Sequence, residues 1–149
     1  MKRLNNKGFT LIEVLVVIAM IALIAGIAIP NVLSSINTSK SVSEKAMIEN
    51  IKTASQELYE EIEFTGNDLY DYNEKILITN NKITVHLQSL VTNGFLTGTG
   101  KNGEKILINP KTGDDIGDCQ ITITKTTDID DTVSYTITNI STNNKCPNY

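Results

Sequence analysis

Val14 to Ile29 is an unbroken apolar run, and the carboxylate of Glu13 stands at its head. A run of this length folds as a helix that needs lipid or other apolar helices around it, since about 20 residues at roughly 1.5 Å each cross a bilayer. Lys2, Arg3 and Lys7 in the leader before it keep the amino-terminal side in the cytoplasm. An ionised group in hydrocarbon is costly unless paired, so Glu13 is the first candidate functional residue and calls for a cationic partner. The chain before it supplies one only if it is cut to expose a new amino terminus. Two plainer readings of the same segment stay open. One is a secretory signal peptide cut at Gly26-Ile27-Ala28, and the other is an uncleaved anchor from Phe9 to Ile29. Neither needs Glu13 or the junction of Gly8 with Phe9.

The order of the segment, Gly8-Phe9-Thr10-Leu11-Ile12-Glu13-Val14 behind a short basic leader, resembles the processing signal of type IV prepilins. The resemblance runs from Met1 to about Val32. It implies that a prepilin peptidase cuts between Gly8 and Phe9 on the cytoplasmic side and that the new terminus on Phe9 is N-methylated. It also implies that Glu13 and the Phe9 amine of a neighbouring subunit pair during filament assembly. The implied domains are a leader at 1–8, a transmembrane and filament-core helix at 9–30, and a globular headgroup at 31–149.

Charge and cysteine content suit an exported subunit. The formal net charge is -4 and becomes -7 once the three basic leader residues are lost. Such a surface does not attract nucleic acid by simple electrostatics, and no nucleic-acid binding is expected. Cys119 and Cys146 lie on the exported side, where disulfides persist. In the pilin family a cysteine pair often closes a carboxy-terminal loop, and the resemblance implies a Cys119–Cys146 bridge of that kind. A bridge over this separation stabilises by about 3 to 4 kcal/mol on the chain-entropy view. Two free buried thiols are the alternative.

Beyond the anchor, Met47, Ile51, Ala54, Leu58 and Ile62 recur at helical spacing as one apolar stripe, which Val32, Leu33, Ile36 and Val42 extend upstream. Ser43, Glu44, Glu49, Lys52, Ser55 and Glu60 read as the solvated face. The helix is expected to end near Phe64, ahead of Thr65-Gly66-Asn67-Asp68. From Phe9 it would be about 80 Å long. Pro30 interrupts it and deprives the Gly26 carbonyl of its helical partner, so Gly26 and Pro30 mark an expected kink. The rest reads as short strands. Lys75–Thr79 and Lys82–Val85 flank an Asn80-Asn81 turn, a short helix spans His86–Asn93, and Lys105–Asn109 is a strand before Pro110. Cys119–Thr126 and Thr132–Ile140 form an antiparallel hairpin. Pairing centred on Ile129 and Asp130 would set Cys119 near Ile140, with Cys146 folding back. The expected class is α+β: a long amino-terminal helix, transmembrane in its first half and amphipathic in its second, packed on a small antiparallel sheet.

Several apparent sites carry little. Gly98-Thr99-Gly100-Lys101-Asn102-Gly103 spells a dinucleotide fingerprint but leads into an expected strand instead of opening a helix. His86, the one histidine, has no nucleophile pattern beside it and reads as a surface or cap residue. Asp114, Asp115 and Asp118 miss the EF-hand spacing, and calcium stays an open alternative there. Asn37-Thr38-Ser39 and Asn139-Ile140-Ser141 match a glycosylation sequon that occurs by chance. No catalytic constellation, metal site or cofactor is expected.

The expected function is therefore structural. The resemblance implies a type IV pilus subunit, a single-pass membrane protein before assembly and part of a surface fibre afterwards. Its expected partners are further copies of itself, the prepilin peptidase, an assembly ATPase and a platform membrane protein. The alternatives are a pseudopilin of a type II secretion or DNA-uptake machine, and an anchored adhesin that does not polymerise.

Overall fold

The computed structural model describes residues 8–98, 105–141 and 144–149. The leader up to Lys7, the rest of the glycine-rich stretch after Gly98, and the side chains of Ala28, Pro30 and Asn31 lie outside what is described. The chain divides into two compact units, Met1–Ser39 and Lys40–Tyr149.

The helix α1 runs from Leu11 to Thr65, and its backbone is helical across both Gly26 and Pro30. It ends where the sequence supplies Gly66, whose φ of 64° is left-handed and costs glycine nothing. Thr65 Oγ1 donates to the Glu61 carbonyl at 2.6 Å in the last turn. In the first unit the apolar side chains of α1 are exposed, Leu11 at 84% and Ile27 at 74% among them.

In the second unit the expected stripe is buried from Met47 on, whereas its upstream extension is not: Val42 is 60% exposed, and Val32, Leu33 and Ile36 of the first unit are exposed as well. Ile51 and Leu58 are fully enclosed, Ala54 and Met47 nearly so, and Ile62 packs at the margin. The buried face is wider than expected, because Ser55 and Tyr59 join it. The reading of Ser55 as solvated is thus corrected. Its hydroxyl donates to the Ile51 carbonyl at 2.7 Å. That bond satisfies the group and lets it enter the core. Tyr59 meets Tyr135 edge to face at 5.4 Å between ring centres, a geometry that the charge distribution of two aromatic rings favours.

The stripe packs against a three-stranded antiparallel sheet of order β3-β4-β5, comprising β3 (Lys82–His86), β4 (Gln120–Thr127) and β5 (Val133–Asn139). A two-stranded ribbon, β1 (Tyr70–Asp71) with β2 (Glu74–Lys75), is an addition to the expected strands. The short helix α2 (Leu87–Thr92) falls within the expected His86–Asn93 span and buries Leu87, Ser89, Leu90 and Val91. Ile83, Val85, Ile121, Ile123 and Ile137 turn inward at the period of two that a half-buried sheet demands.

Three expectations are corrected here. Lys75–Thr79 is not one strand: Ile76 gives its N–H to Leu69, which pulls the chain towards β1, and only Thr79 bridges to Lys82 around Asn80 and Asn81, both left-handed. Lys105–Asn109 is not a strand either. Asn109 Oδ1 accepts from the Lys111 N–H at 2.9 Å, the Asn109 N–H donates to Asp114, and the chain closes into a loop with one bridge, Ile108 to Asp115. Turn-forming Asn-Pro chemistry outweighs the apolar pattern there. Finally, the hairpin pairs Thr127 with Val133 and Ile121 with Asn139, one residue away from the expected register. Asp131 is left-handed, at φ 62°. It gives the loop an odd length, so the pairing centres on Asp130.

Candidate functional site

Gly8 and Phe9 are exposed and precede α1, with Phe9 at 86%. The helix begins with a reciprocal cap. Thr10 N–H and Thr10 Oγ1 both donate to Glu13 Oε2, at 2.9 and 2.7 Å, and the Glu13 N–H points to Thr10 Oγ1 at 3.3 Å. This is the Thr-x-x-Glu capping box, which uses the carboxylate to satisfy donors that the first turn leaves orphaned. The spacing of Thr10 and Glu13 is itself the sequence signal that finds it. Glu13 is thus held in one orientation at the head of the apolar run. The stretch from Leu11 is apolar and long enough to cross a membrane. Its exposed side chains need lipid or neighbouring helices to cover them.

Cys119 and Cys146 are joined as a disulfide with a Cα separation of 5.7 Å. Cys119 is buried immediately before β4, and the bridge returns the tail to the sheet. Asn139 Nδ2 donates to the Pro147 carbonyl at 3.2 Å, and the Gln120 N–H donates to Ser141 Oγ at 2.6 Å, so side chains of the hairpin and of Ser141 help hold the returning chain.

The second unit holds two further polar constellations. Asp71 accepts from the His86 N–H, contacts His86 Nδ1 at 2.8 Å and accepts from Ser89 Oγ, and so pins the β1–β2 ribbon to the start of α2. Serine, histidine and aspartate meet here without a hydrolytic arrangement: the serine donates to the aspartate and not to the imidazole, so no base activates it. His86 is accordingly a half-buried N-cap residue. Tyr72 lies edge-on to its ring at 4.7 Å and donates to Asp118 Oδ1 at 2.7 Å. That bond to a carboxylate, followed by burial and the nearby Asp71 and Asp115, pushes the phenol up to about 12. Asp115 caps the Gly117 N–H, and Asp118 serves Tyr72. Among the described residues no cluster of acidic, histidine or cysteine side chains is arranged to hold a metal.

The other constellation ties a loop to α1. Lys111 Nζ reaches Glu44 Oε2 at 3.0 Å, and Asn109 Nδ2 donates to Glu44 Oε1 at 3.2 Å. Lys111 above all, with Asn109 assisting, lowers the Glu44 carboxyl below its ordinary value against the cost of burial. Glu63 grips Lys125 of β4 through both oxygens, at 2.7 and 2.6 Å.

Comparison with known proteins follows the same lines. The prokaryotic N-terminal methylation motif matches residues 3–29. A fimbrial protein of Pseudomonas aeruginosa is 33% identical over 140 residues, spanning 81% of this chain and 89% of its own. The type IV wide pilus major component PilA4 of Thermus thermophilus is 33% identical over 105 residues, 66% of this chain and 76% of its own. The type IV major pilin protein PilA of Myxococcus xanthus is 39% identical over 57 residues, 38% of this chain and 26% of its own. No solved structure matches. An apolar capped helix running into an α+β unit, with these relatives, places the chain in the type IV pilin family.

Proposed function

We propose that this chain is a structural, non-enzymatic subunit of a type IV pilus, matured by cutting between Gly8 and Phe9 and methylating Phe9. The observation that carries this reading is Glu13, preset by Thr10 at the head of an apolar helix whose side chains stand exposed. In the membrane, lipid covers that helix. In the fibre, other copies do so, and the methylated amine of Phe9 in one copy meets the Glu13 carboxylate of the next. Each charge offsets the desolvation of the other, which makes the pair a register device for stacking helices. The break in the hydrogen-bond ladder that proline imposes at Gly26 and Pro30 is a place for the helix to bend between residues 9–30 and the headgroup at 31–149. Peptidase, assembly ATPase and platform membrane protein act on the leader and the anchor.

Electron microscopy of surface fibres from cells with and without the chain, joined to mass spectrometry of the amino terminus, tests the reading. Fibres that depend on the chain and begin at methylated Phe9 are expected. Short fibres confined to the envelope would indicate a pseudopilin, and a chain present only as monomers in the membrane would overturn polymerisation.

A further inference from the structure

The last four residues of the chain pack back on the headgroup. Cys146 is joined to Cys119, Pro147 is buried with its carbonyl taken by Asn139 Nδ2, and Tyr149 lays its ring against the margin of the core. Tyr149 Oη is buried and, among the described residues, has no hydrogen-bond partner. Burial alone pushes this phenol up, whereas Tyr72 is raised first by its bond to Asp118. A buried hydroxyl left without a partner cancels much of what the ring gains by leaving water.

Opposing terms therefore meet at this seat. Burial of the ring favours it, and the unpartnered hydroxyl and the ordering of Pro147, Asn148 and Tyr149 oppose it. The bridge tips the balance. It fixes the chain three residues before Tyr149 and so removes most of the entropy cost of bringing the tail back. Pro147, with φ set by its ring, narrows the freedom of that short tail further.

The two sulfurs are unequal in access, since Cys119 is buried and Cys146 is partly exposed. A thiolate from solvent attacks Cys146 Sγ, forms a mixed disulfide with it and expels Cys119 as thiolate. A second thiolate of the reductant then displaces Cys146. The chain gains two electrons and two protons, and the reductant leaves as its own disulfide. Closure is the reverse exchange, with a disulfide-bearing oxidant of the exported side taking the electrons.

We propose that Tyr149 is a redox-dependent strap, seated on the core while Cys119 and Cys146 are bridged and released with residues 147–149 when the bridge is open. The rest of the headgroup keeps its fold in both states. A newly made, reduced chain carries its tail free, and the seat closes only after the headgroup has met an oxidant outside the cytoplasm. The strap goes beyond the subunit reading and holds whether or not the chain forms fibres.

The test uses the full chain solubilised in detergent and a carboxypeptidase that removes carboxy-terminal aromatic residues, with mass spectrometry as the readout. The bridge is opened by reduction and alkylation, or by Cys119→Ser with Cys146→Ser. Either open form is expected to lose Tyr149 about tenfold faster than the bridged chain. Equal rates would overturn the strap. In the open forms Tyr149→Phe, which seats the same ring without the hydroxyl, should lose its last residue several-fold more slowly than the tyrosine chain, each rate taken relative to a short peptide with the same end. If phenylalanine leaves as fast as tyrosine, the bridge holds the whole fold and not this seat, and the proposal fails. In the bridged chain Tyr149→Phe should unfold at an equal or higher denaturant midpoint. A lower midpoint would show that the hydroxyl has a partner, which sinks the proposal too.

Discussion

Thr10 and Glu13 share reciprocal hydrogen bonds across the first turn of α1, with both donors of Thr10 directed to a single carboxylate oxygen. The group proposed to act in assembly is therefore held by its own helix before any partner arrives. If Glu13 pairs with a neighbour's Phe9, Glu13→Ala removes a cap and an ion-pair partner together. The variant should be cleaved and stay in the membrane yet form fibres at roughly a tenth of the wild-type number or fewer, since removal strands the partner's charge. Counting fibres by electron microscopy checks this, and normal number and length would refute the pairing.

Processing makes an independent claim. Gly8 presents no side chain to the cut, so a bulky replacement such as Gly8→Leu should leave a full-length precursor in the membrane. Amino-terminal mass spectrometry reads the outcome, and methylated Phe9 in that variant would count against the assigned site.

The Cys119–Cys146 bridge should stabilise the headgroup by about 2 to 5 kcal/mol, the usual loss when a small exported domain gives up a native disulfide. Replacing both cysteines with serine and following denaturant unfolding of the detergent-solubilised chain measures it. An unchanged midpoint would show that the tail is held by Pro147 and Ser141 contacts alone.

Acid sensitivity follows from Glu44. Its folded-state value lies below the ordinary 4.5, so folding favours the ionised form. The contribution is complete above pH 4.5 and fades as pH falls through the lowered value. Thermal unfolding between about pH 7 and pH 3 should therefore show a loss that Glu44→Gln reduces, with the variant less stable than wild type at neutral pH. Parallel curves would show that the Lys111 contact contributes nothing.

At the alkaline end, Tyr72 should ionise only near pH 12. A raised tyrosine value stabilises the fold below the ordinary 10, and that contribution is lost as pH climbs from 10 to about 12. Asp118→Ala should bring one phenolate transition in the ultraviolet absorbance back towards 10, and no change would mean that Asp118 is not its cause.

Much of what depends on neighbours along the chain is legible in the order of residues alone, although apolar alternation masked the local turn at Asn109 and the left-handed Asp131. The apolar run, the Thr10 to Glu13 cap, the Met47 to Ile62 stripe, the Gly66 stop and the Asn80-Asn81 turn are each decided within a few residues by helical period, capping or backbone conformation. What depends on distant partners waited for the packed chain. Ser55 entered the core because α1 meets the sheet over a face wide enough to include Tyr59 against Tyr135. The loop that carries Pro110 is tied to α1 by the bond from Asn109 to Glu44, which are far apart in sequence. A period of two marks a strand's faces and is silent about its partner. The Glu44–Lys111 clamp and the Asp71–His86–Ser89 cluster join residues far apart in sequence, and only folding brings their charges and donors within hydrogen-bond range.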